Sequence, residues 1–242
     1  MAPRRERLDV VLVQRGLAET RERAHAFILS GVVRVDGHAV TRPAQTVGDE
    51  ATVEVAPSGP DYVSRGALKL EKALDTWAID PADKIALDVG ASTGGFTDLL
   101  LRRGAKRVYA VDVGYGQLHY RLRNDARVVN LERTNIRYLS ELPEPAQLGV
   151  VDVSFISLKL ALPPMFGLVT DEIVALIKPQ FEAGRDQVGK GGVVRDAAVR
   201  LRVVADLGGW STTQPWRLVE AVEAPIKGPA GNVEFLSHWL PE

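Results

Sequence analysis

The sequence predicts an α/β protein in which a small α+β domain precedes a larger Rossmann-like domain. The larger domain is predicted to hold a mostly parallel seven-stranded sheet whose last strand is antiparallel. An apolar strand, a glycine-rich turn and a helix follow one another at 84–103, as at the start of a doubly wound domain. Apolar strands then alternate with helical segments as far as residue 207. The first 56 residues have another pattern, which ends at the turn-forming segment APSGP.

These patterns place a first domain at 1–56, a linker at 57–61 and a second domain at 62–242. The composition, 45% apolar and 25% charged residues in a chain of 242, is that of a globular protein with a real core. No run of eighteen apolar residues is present, and the opening MAPRRERLDV lacks the apolar run of a secretory signal. We therefore expect a cytoplasmic protein with no membrane partner. The sequence leaves the oligomeric state open, with a monomer as the simplest expectation.

The same composition argues against a metal site. The chain has no cysteine, which excludes disulfides and thiolate ligands, and its four histidines are scattered. The net charge of −1 does not indicate nucleic-acid binding, so evidence for such binding must come from local patterns.

The first domain is predicted to contain two helices followed by short strands. Residues 7–15 are amphipathic, and a second helix begins after Thr20, a residue that commonly caps helices. Strands are expected at 32–35 and 52–55, and Asp36-Gly37 is a hairpin signal.

This arrangement resembles the S4 RNA-binding domain. The pattern is present as Arg7-Leu8-Asp9, an apolar helix, an arginine-containing helix and the stretch GVVRVDG at 31–37. Residues 1–47 hold eight arginines and five acidic residues, and guanidinium groups bind phosphate through paired hydrogen bonds. Any one arginine could be an ordinary surface charge, but the cluster within this pattern favours RNA binding. The arginines expected to contact RNA phosphates are Arg4, Arg5, Arg7, Arg21 and Arg23.

The second domain is predicted to begin with a helix from Gly66 that carries Lys69. The predicted strands are 84–89, 107–113, 128–131, 148–155, 173–178, 216–223 and 234–240. Helices are expected at 96–103, at 157–168 with a break at Pro163-Pro164, and at 195–207. The glycine-rich segment 181–194 is predicted to form a mobile loop over the site.

The turn at 90–95 (GASTGG) is the predicted ligand site, because glycines let a backbone approach a ligand closely. A dinucleotide fingerprint needs glycine at position 92, where this chain has Ser92, so that pattern fails. The turn instead resembles the first motif of class I S-adenosylmethionine (SAM) dependent methyltransferases, which implies SAM as the cofactor. A turn with only a structural role is the other interpretation. The acid Asp112 after the next strand argues against it, since a carboxylate there can accept both ribose hydroxyls.

Neighbouring residues complete the expected cofactor site. The loop at 114–117 would cover the adenosine, and Asn135 follows the third strand, where its amide can reach an adenine edge. The expected cofactor contacts are Asp88, Gly90, Ser92, Thr93, Gly94, Phe96, Asp112, Tyr115 and Asn135.

Charged residues stand at the ends of three later strands. Asp152 lies near the end of the fourth strand, Lys178 ends the fifth, and Glu234 begins the last. Parallel strands four and five end at the same edge of the sheet, and an antiparallel last strand begins there, so these side chains should converge. Lys69, taken alone, has the pattern of an ordinary surface lysine on an amphipathic helix.

Together, Lys69, Asp152, Lys178 and Glu234 resemble the Lys-Asp-Lys-Glu tetrad of the FtsJ-like 2′-O-ribose methyltransferases. With the S4-like domain and the stretches VSRGALKL, KPQFE and GNVEF, the whole chain resembles the TlyA family of ribosomal RNA cytidine-2′-O-methyltransferases, often labelled hemolysin A. The resemblance implies cytidine ribose in 16S and/or 23S rRNA as the target and ribosomal RNA or subunits as the partner. Related enzymes have Asp where this chain has Asn135, and often Trp where it has Phe96.

We assign Lys178 as the base, Asp152 and Glu234 as orienting groups, and Lys69 as the group that positions the ribose oxygen or a phosphate. A ribose hydroxyl is a poor acid, so its base must be a basic group held neutral, which a lysine can be. Lys69 and Lys178 could exchange these roles. SAM chemistry needs no metal, because the sulfonium is already a strong electrophile.

Two other functions compete with this one. An RNA-binding assembly factor without catalysis would have no need of both lysines. A membrane-active hemolysin would need a long apolar span or a strongly basic amphipathic helix, and the sequence contains neither.

Overall fold

The computed structural model describes residues 5–18, 20–29, 31–55 and 62–242. It divides into two compact units, Met1–Asp61 and Tyr62–Glu242. Arg4 and the predicted linker lie outside the described residues. Within the described part of the chain, no helix is both long and apolar enough to cross a membrane.

The first unit packs two helices against short strands. In chain order its elements are β1 (Arg5–Arg7), α1 (Leu8–Gln14), α2 (Arg21–Leu29), β2 (Val33–Val35), β3 (His38–Ala39), β4 (Thr46–Gly48) and β5 (Val53–Val55). β1 pairs with β4, and β2 lies between β3 and β5 in an antiparallel sheet. Leu8, Leu12 and Ile28 form the centre of its core.

Two local predictions in this unit are confirmed. The hydroxyl of Thr20 accepts a hydrogen bond from the Arg23 N–H at 3.2 Å, as a helix cap does. Asp36 and Gly37 both have positive φ, +50° and +80°, and join β2 to β3 in a two-residue hairpin. The sequence did not predict β1 and β4, because strands of three residues are too short to show an alternating pattern.

The second unit holds a seven-stranded sheet covered by helices. Its elements are α3 (Ala67–Trp77), β6 (Ile85–Val89), α4 (Gly95–Arg102), β7 (Arg107–Val111), α5 (Tyr120–Arg123), β8 (Val128–Leu131), β9 (Ala146–Val151), α6 (Leu158–Met165), β10 (Val169–Ile177), α7 (Pro179–Glu182), α8 (Ala197–Ser211), β11 (Trp216–Glu223) and β12 (Phe235–Pro241). Short 3-10 helices span Ile136–Tyr138 and Arg185–Gln187.

The strand order β11-β12-β10-β9-β6-β7-β8 confirms the predicted sheet. The strands from β10 to β8 in this order are parallel, and β12 runs antiparallel to both β10 and β11. Both faces are buried: α6 and α8 cover one, and α3 and α4 cover the other. A parallel sheet covered on both faces leaves its carboxyl edge as the place where a site can open.

The predicted helix break at the proline pair is wrong. α6 runs through both residues to Met165, with Pro163 and Pro164 in its last turn. The missing proline N–H groups would have bonded the carbonyls of Lys159 and Leu160, and both residues are exposed, so water can satisfy them.

The segment predicted as a loop at 181–194 contains regular structure. It starts within α7, continues through a 3-10 helix, and Gly189 pairs with Val193 in an isolated bridge. The buried side chain of Asn232 holds its end, accepting the Val194 N–H at 2.9 Å and donating to the Gly192 carbonyl at 2.8 Å.

Candidate active site

The carboxyl edge of the sheet gathers three of the four tetrad residues from neighbouring strands. Asp152 directly follows β9, Lys178 directly follows β10, and Glu234 directly precedes β12. Ile177 pairs with Phe235 across β10 and β12, so Lys178 and Glu234 take the next positions in that register. The strand directions therefore bring these residues to one edge.

Lys178 is held by two groups from the segment after β9. Its ammonium lies 2.5 Å from Oδ1 of Asp152 and donates a hydrogen bond to the Ser154 hydroxyl at 2.9 Å. This Oδ1 is buried, and the Lys178 ammonium is the charged group against it among the described residues.

Lys69 and Glu234 form a second, more deeply buried ion pair. The Lys69 ammonium donates to Oε2 of Glu234 at 2.6 Å, and the two side chains are only 7% and 1% exposed. The turn before β12 encloses the carboxylate so closely that Gly228 has no room for a β-carbon beside it. The interpretation of Lys69 as an ordinary surface lysine is wrong, because the helix face that carries it packs against the sheet.

A cavity of about 1000 Å³ opens at this edge. Four expected cofactor contacts line it, namely Gly90, Ser92, Asp112 and Asn135, and so does Asp152. Its size is at the upper end of the range of small-molecule sites, roughly 300–1,000 Å³. The structure thus joins the glycine turn and one tetrad carboxylate in a single cavity.

Gly90 is required at its position for two reasons. Its φ is +84°, a conformation that disfavours other residues, and a β-carbon there would lie 2.5 Å from the Asp152 carbonyl oxygen. Gly90 thus lets the glycine turn pack directly on the backbone of the segment that follows β9.

Asp112 is fixed by two backbone groups. Its Oδ2 accepts the Ser92 N–H at 2.8 Å, and its Oδ1 accepts the Gly114 N–H at 2.7 Å. Each carboxylate oxygen can accept a further hydrogen bond, so both remain able to bind a pair of hydroxyls. Asn135 uses its side-chain oxygen to cap a 3-10 helix through the Arg137 N–H, which leaves its amide nitrogen for a ligand.

Other expected cofactor contacts lie away from the large cavity. Thr93 and Phe96 line a separate cavity of about 120 Å³, which Asp152 also borders. Gly94 is covered by the side chains of Leu118 and Leu122. Tyr115 is 69% exposed, with the Arg133 guanidinium 4.3 Å from its ring centre, and lines neither cavity.

Asp88 lies beneath the turn instead of in a cavity. It is fully buried, its Oδ2 accepts the Thr97 hydroxyl at 2.6 Å, and its Oδ1 has no hydrogen-bond partner among the described residues. Burial raises the pKa of Asp88 to about 7; the nearby Asp152 carboxylate adds to this and the Thr97 hydrogen bond opposes it. Asp88 therefore supports the turn from below.

We expect Asp88 to make the second unit less stable as the pH rises from about 4 to about 7. The folded state keeps the proton up to about pH 7, whereas the unfolded chain releases it near the ordinary value of 3.8, so rising pH favours unfolding. The Asp88→Asn variant should lack this part of the pH dependence while keeping an acceptor for Thr97. Urea unfolding of both proteins at pH 5 and pH 7.5 checks this, and equal pH dependence in the two would contradict it.

Sequence reasoning missed two residues that shape this edge. Ser154 bonds Lys178, and Glu182 joins α7 to the start of α6 by accepting the Ser157 hydroxyl at 2.6 Å and the Leu158 N–H at 2.7 Å. Burial raises the pKa of Glu182. Glu182 is the acid of the stretch KPQFE, which begins at Lys178. Its position so soon after the end of a strand was the signal that could have identified it.

The expected RNA-binding arginines in the first unit are placed in different ways. Arg7 and Arg21 both pair with Asp9, Arg5 donates to the Thr46 carbonyl at 3.0 Å, and Arg23 lies over the Phe27 ring at 4.8 Å. The first two therefore share one carboxylate.

Comparison with known proteins gives consistent matches over both units. Residues 62–239 match the FtsJ-like methyltransferase family, and residues 6–53 match the S4 domain. The chain is 49% identical over 244 residues to the 16S/23S rRNA (cytidine-2′-O)-methyltransferase TlyA of Mycobacterium tuberculosis, with 98% of this chain and 90% of that protein covered.

Two further relatives carry hemolysin names. Hemolysin A of Brachyspira hyodysenteriae is 43% identical over 97% of this chain and 99% of its own length. A solved structure from Streptococcus thermophilus, described as a candidate hemolysin, is 41% identical and superposes with a TM-score of 0.77, covering 100% of this chain and 90% of that one.

Proposed function

Since the chain belongs to the FtsJ-like methyltransferase family, we propose that it transfers a methyl group from SAM to the 2′-hydroxyl of cytidine in 16S and/or 23S ribosomal RNA. The observation that carries the proposal is the Lys178–Asp152 ion pair, whose carboxylate lines the cavity formed by the glycine turn. The reaction requires a methyl donor bound in the cavity and a group that takes up the hydroxyl proton. Lys178 can be that group only in its neutral form, after it has given up its own proton. The relative TlyA carries the same activity in its name.

The residues of the large cavity fit SAM. Asp112 would accept the ribose hydroxyls, the backbone at Gly90 would lie against the methionine part, and the amide of Asn135 would meet the adenine. When bound, SAM supplies an electrophilic methyl group on a positively charged sulfur. The chain must then align the ribose oxygen and remove its proton.

We assign proton removal to Lys178. Lys178, Lys69 and Glu234 do not line either cavity, but Asp152, the partner of Lys178, lines both. The Lys178 nitrogen contacts both Asp152 and Ser154, which fix its position. When the amine is neutral, its lone pair would then have a fixed direction for accepting the hydroxyl proton. Lys69, enclosed with Glu234, would act as a positioning residue for this edge.

The S4 domain supports RNA as the substrate class, since ribosomal RNA presents a dense row of phosphates to its arginines. The small ribosomal subunit protein uS4 of Roseiflexus castenholzii also matches part of this chain, at 34% identity over 83 residues. We propose a ribosomal subunit or its RNA as the natural substrate, bound in the cytoplasm by a monomer.

The test is methyl transfer to isolated ribosomal subunits. The purified protein is incubated with 30S or 50S subunits and SAM labelled in its methyl group, and the labelled position is mapped by resistance of the 2′-O-methylated bond to alkali. We expect one 2′-O-methylcytidine in the RNA of at least one subunit. Label on a base, or on protein alone, would contradict the proposal.

The competing functions give different results in the same preparation. A non-catalytic assembly factor would bind subunits and transfer no label. A membrane-active hemolysin would release dye from lipid vesicles, an activity that this proposal does not predict.

Replacing Asp112 by alanine is expected to weaken SAM binding about a hundredfold or more. The variant loses two charge-assisted hydrogen bonds to the ribose, each worth roughly 1.5–3 kcal/mol, and loosens the turn at Ser92. Calorimetric titration with SAM measures the change. Asp171→Ala is the matched control, because Asp171 is exposed near the amino end of β10. An unchanged dissociation constant for Asp112→Ala would move the cofactor elsewhere.

A further inference from the structure

A fully buried carboxylate organises the cationic side chains of the first unit. Oδ1 of Asp9 accepts the Arg7 Nε–H at 3.0 Å and the Val10 N–H at 3.1 Å. Its Oδ2 accepts one N–H from Arg7 and one from Arg21, both at 2.9 Å, and lies 2.8 Å from Nε2 of His25. Five groups from α1, α2 and the residue before α1 thus converge on one side chain.

This carboxylate stays ionised and its arginines stay accessible. The hydrogen bond from Arg7 is the largest cause that holds the pKa of Asp9 far below its usual range, and it outweighs the opposing effect of burial. The side chain of Asp9 is 0% exposed, whereas those of Arg7 and Arg21 are 46% and 57% exposed. Each guanidinium therefore turns some donors inward and others toward solvent.

The donors that remain suit a phosphate. A guanidinium has five N–H groups; Arg7 uses two of them on Asp9 and Arg21 uses one. An arginine on a free surface loses side-chain entropy when it binds, but one already fixed by a buried acid loses less. Fixed guanidinium groups can bind a phosphodiester with paired hydrogen bonds.

Arg7 and Arg21 are already expected to contact RNA phosphates. We propose that Asp9 is the positioning residue that holds their guanidinium groups ready for a phosphate, an arrangement we call the Asp9 fork. The fork would hold the backbone of the RNA substrate, so this inference rests on the proposed function. The inference predicts a change in RNA affinity opposite to the change that charge alone would cause. Removing the negative charge of Asp9 should weaken binding to polyanionic RNA, although charge alone would strengthen it.

The test compares two variants that each remove one negative charge from the same unit. Asp9→Asn releases both arginines. Asp49→Asn is the matched control, because Asp49 is exposed and its carboxylate makes no ion pair among the described residues. Arg15 donates to the backbone carbonyl of Asp49, a contact that the substitution leaves in place. Dissociation constants for isolated ribosomal subunits and their RNA are measured over a series of salt concentrations.

We expect Asp9→Asn to weaken RNA binding about tenfold and to lower the slope of log K against log salt by about one or more. Asp49→Asn should bind as the wild type does or slightly more tightly. SAM binding should be unchanged in both. Equal or tighter RNA binding by Asp9→Asn, with an unchanged salt slope, would overturn the inference.

A second variant decides the matter if the loss of Asp9 loosens the unit, which hydrogen exchange at α1 and α2 would reveal. Arg21→Lys keeps the charge and leaves Asp9 with Arg7 and His25. A single ammonium cannot replace the fork, so RNA binding should again weaken severalfold; wild-type affinity would overturn the inference. If the wild-type chain itself binds no ribosomal RNA, the proposed function fails together with this inference. If the wild type binds and the variants bind equally well, only this inference fails.

Discussion

Replacing Lys178 by alanine is expected to abolish methyl transfer while SAM binding stays close to its wild-type value. The variant removes the group proposed to take the hydroxyl proton, and such a group contributes about 10²–10⁴-fold in rate. Because this interaction matters in the transition state, substrate and cofactor affinities should change little. Single-turnover methylation of the target subunit, beside calorimetric SAM titration, measures both quantities.

Lys178→Arg separates proton removal from simple charge. A guanidinium stays protonated and cannot accept the hydroxyl proton, so this variant should be nearly as inactive as the alanine variant. Lys106→Ala, an exposed lysine before β7 at the opposite edge of the sheet, is the control and should keep full activity. Substantial activity in Lys178→Arg would assign the base to Lys69 or to solvent.

Replacing Lys69 by methionine is expected to destabilise the second unit by about 3–5 kcal/mol. The change leaves the Glu234 carboxylate buried without its partner, and an uncompensated buried charge carries a cost of that order. Lys72→Met is the matched control: it lies on the same helix but is exposed, so its effect should stay within about 0.5 kcal/mol. Urea unfolding followed by a signal from the second unit measures both.

The double variant Lys69→Met/Glu234→Gln tests the cause. With the charge also removed, most of the lost stability should return, while methyl transfer should not. If Lys69→Met were as stable as Lys72→Met, the carboxylate would have found another partner, and the pair would not be the contact that holds α3 at this edge.

The tetrad residues on the strands could be predicted because sheet topology determines where strand ends lie. Asp152 and Lys178 follow adjacent parallel strands, and Glu234 precedes an antiparallel one, so all three reach the same edge. Lys69 could not be predicted from its own helix. Its burial depends on how α3 packs on the sheet, and helical spacing does not show that.

Asp88 was expected to contact the cofactor, but the alternation of side chains along β6 directs it away from the cavity. Successive side chains of a strand point to opposite faces, and Leu87 and Val89 pack on the face of α6 while Ala86 packs with α4. Asp88 points the same way as Ala86, where it meets Thr97 of α4. Proximity to the turn in sequence therefore did not mean contact with the cavity.

The Asp9 fork depends on contacts that no local pattern contains. Arg7, Arg21 and His25 stand up to sixteen residues from Asp9, and nothing in their spacing shows that one carboxylate collects them. The domain pattern predicted that arginines would contact RNA. The packing of α1 against α2 determines which of these arginines are held by Asp9.

The close contact between Gly90 and the Asp152 carbonyl restricts how this enzyme can change during evolution or design. The loop that would receive the cofactor and the segment that carries a proposed catalytic carboxylate touch through their backbones, with no side chain between them to absorb an adjustment. A substitution that widens the turn for a bulkier sulfonium donor would also displace Asp152. We therefore expect donor preference and catalytic rate to change together, so a library that seeks new donors should vary both segments.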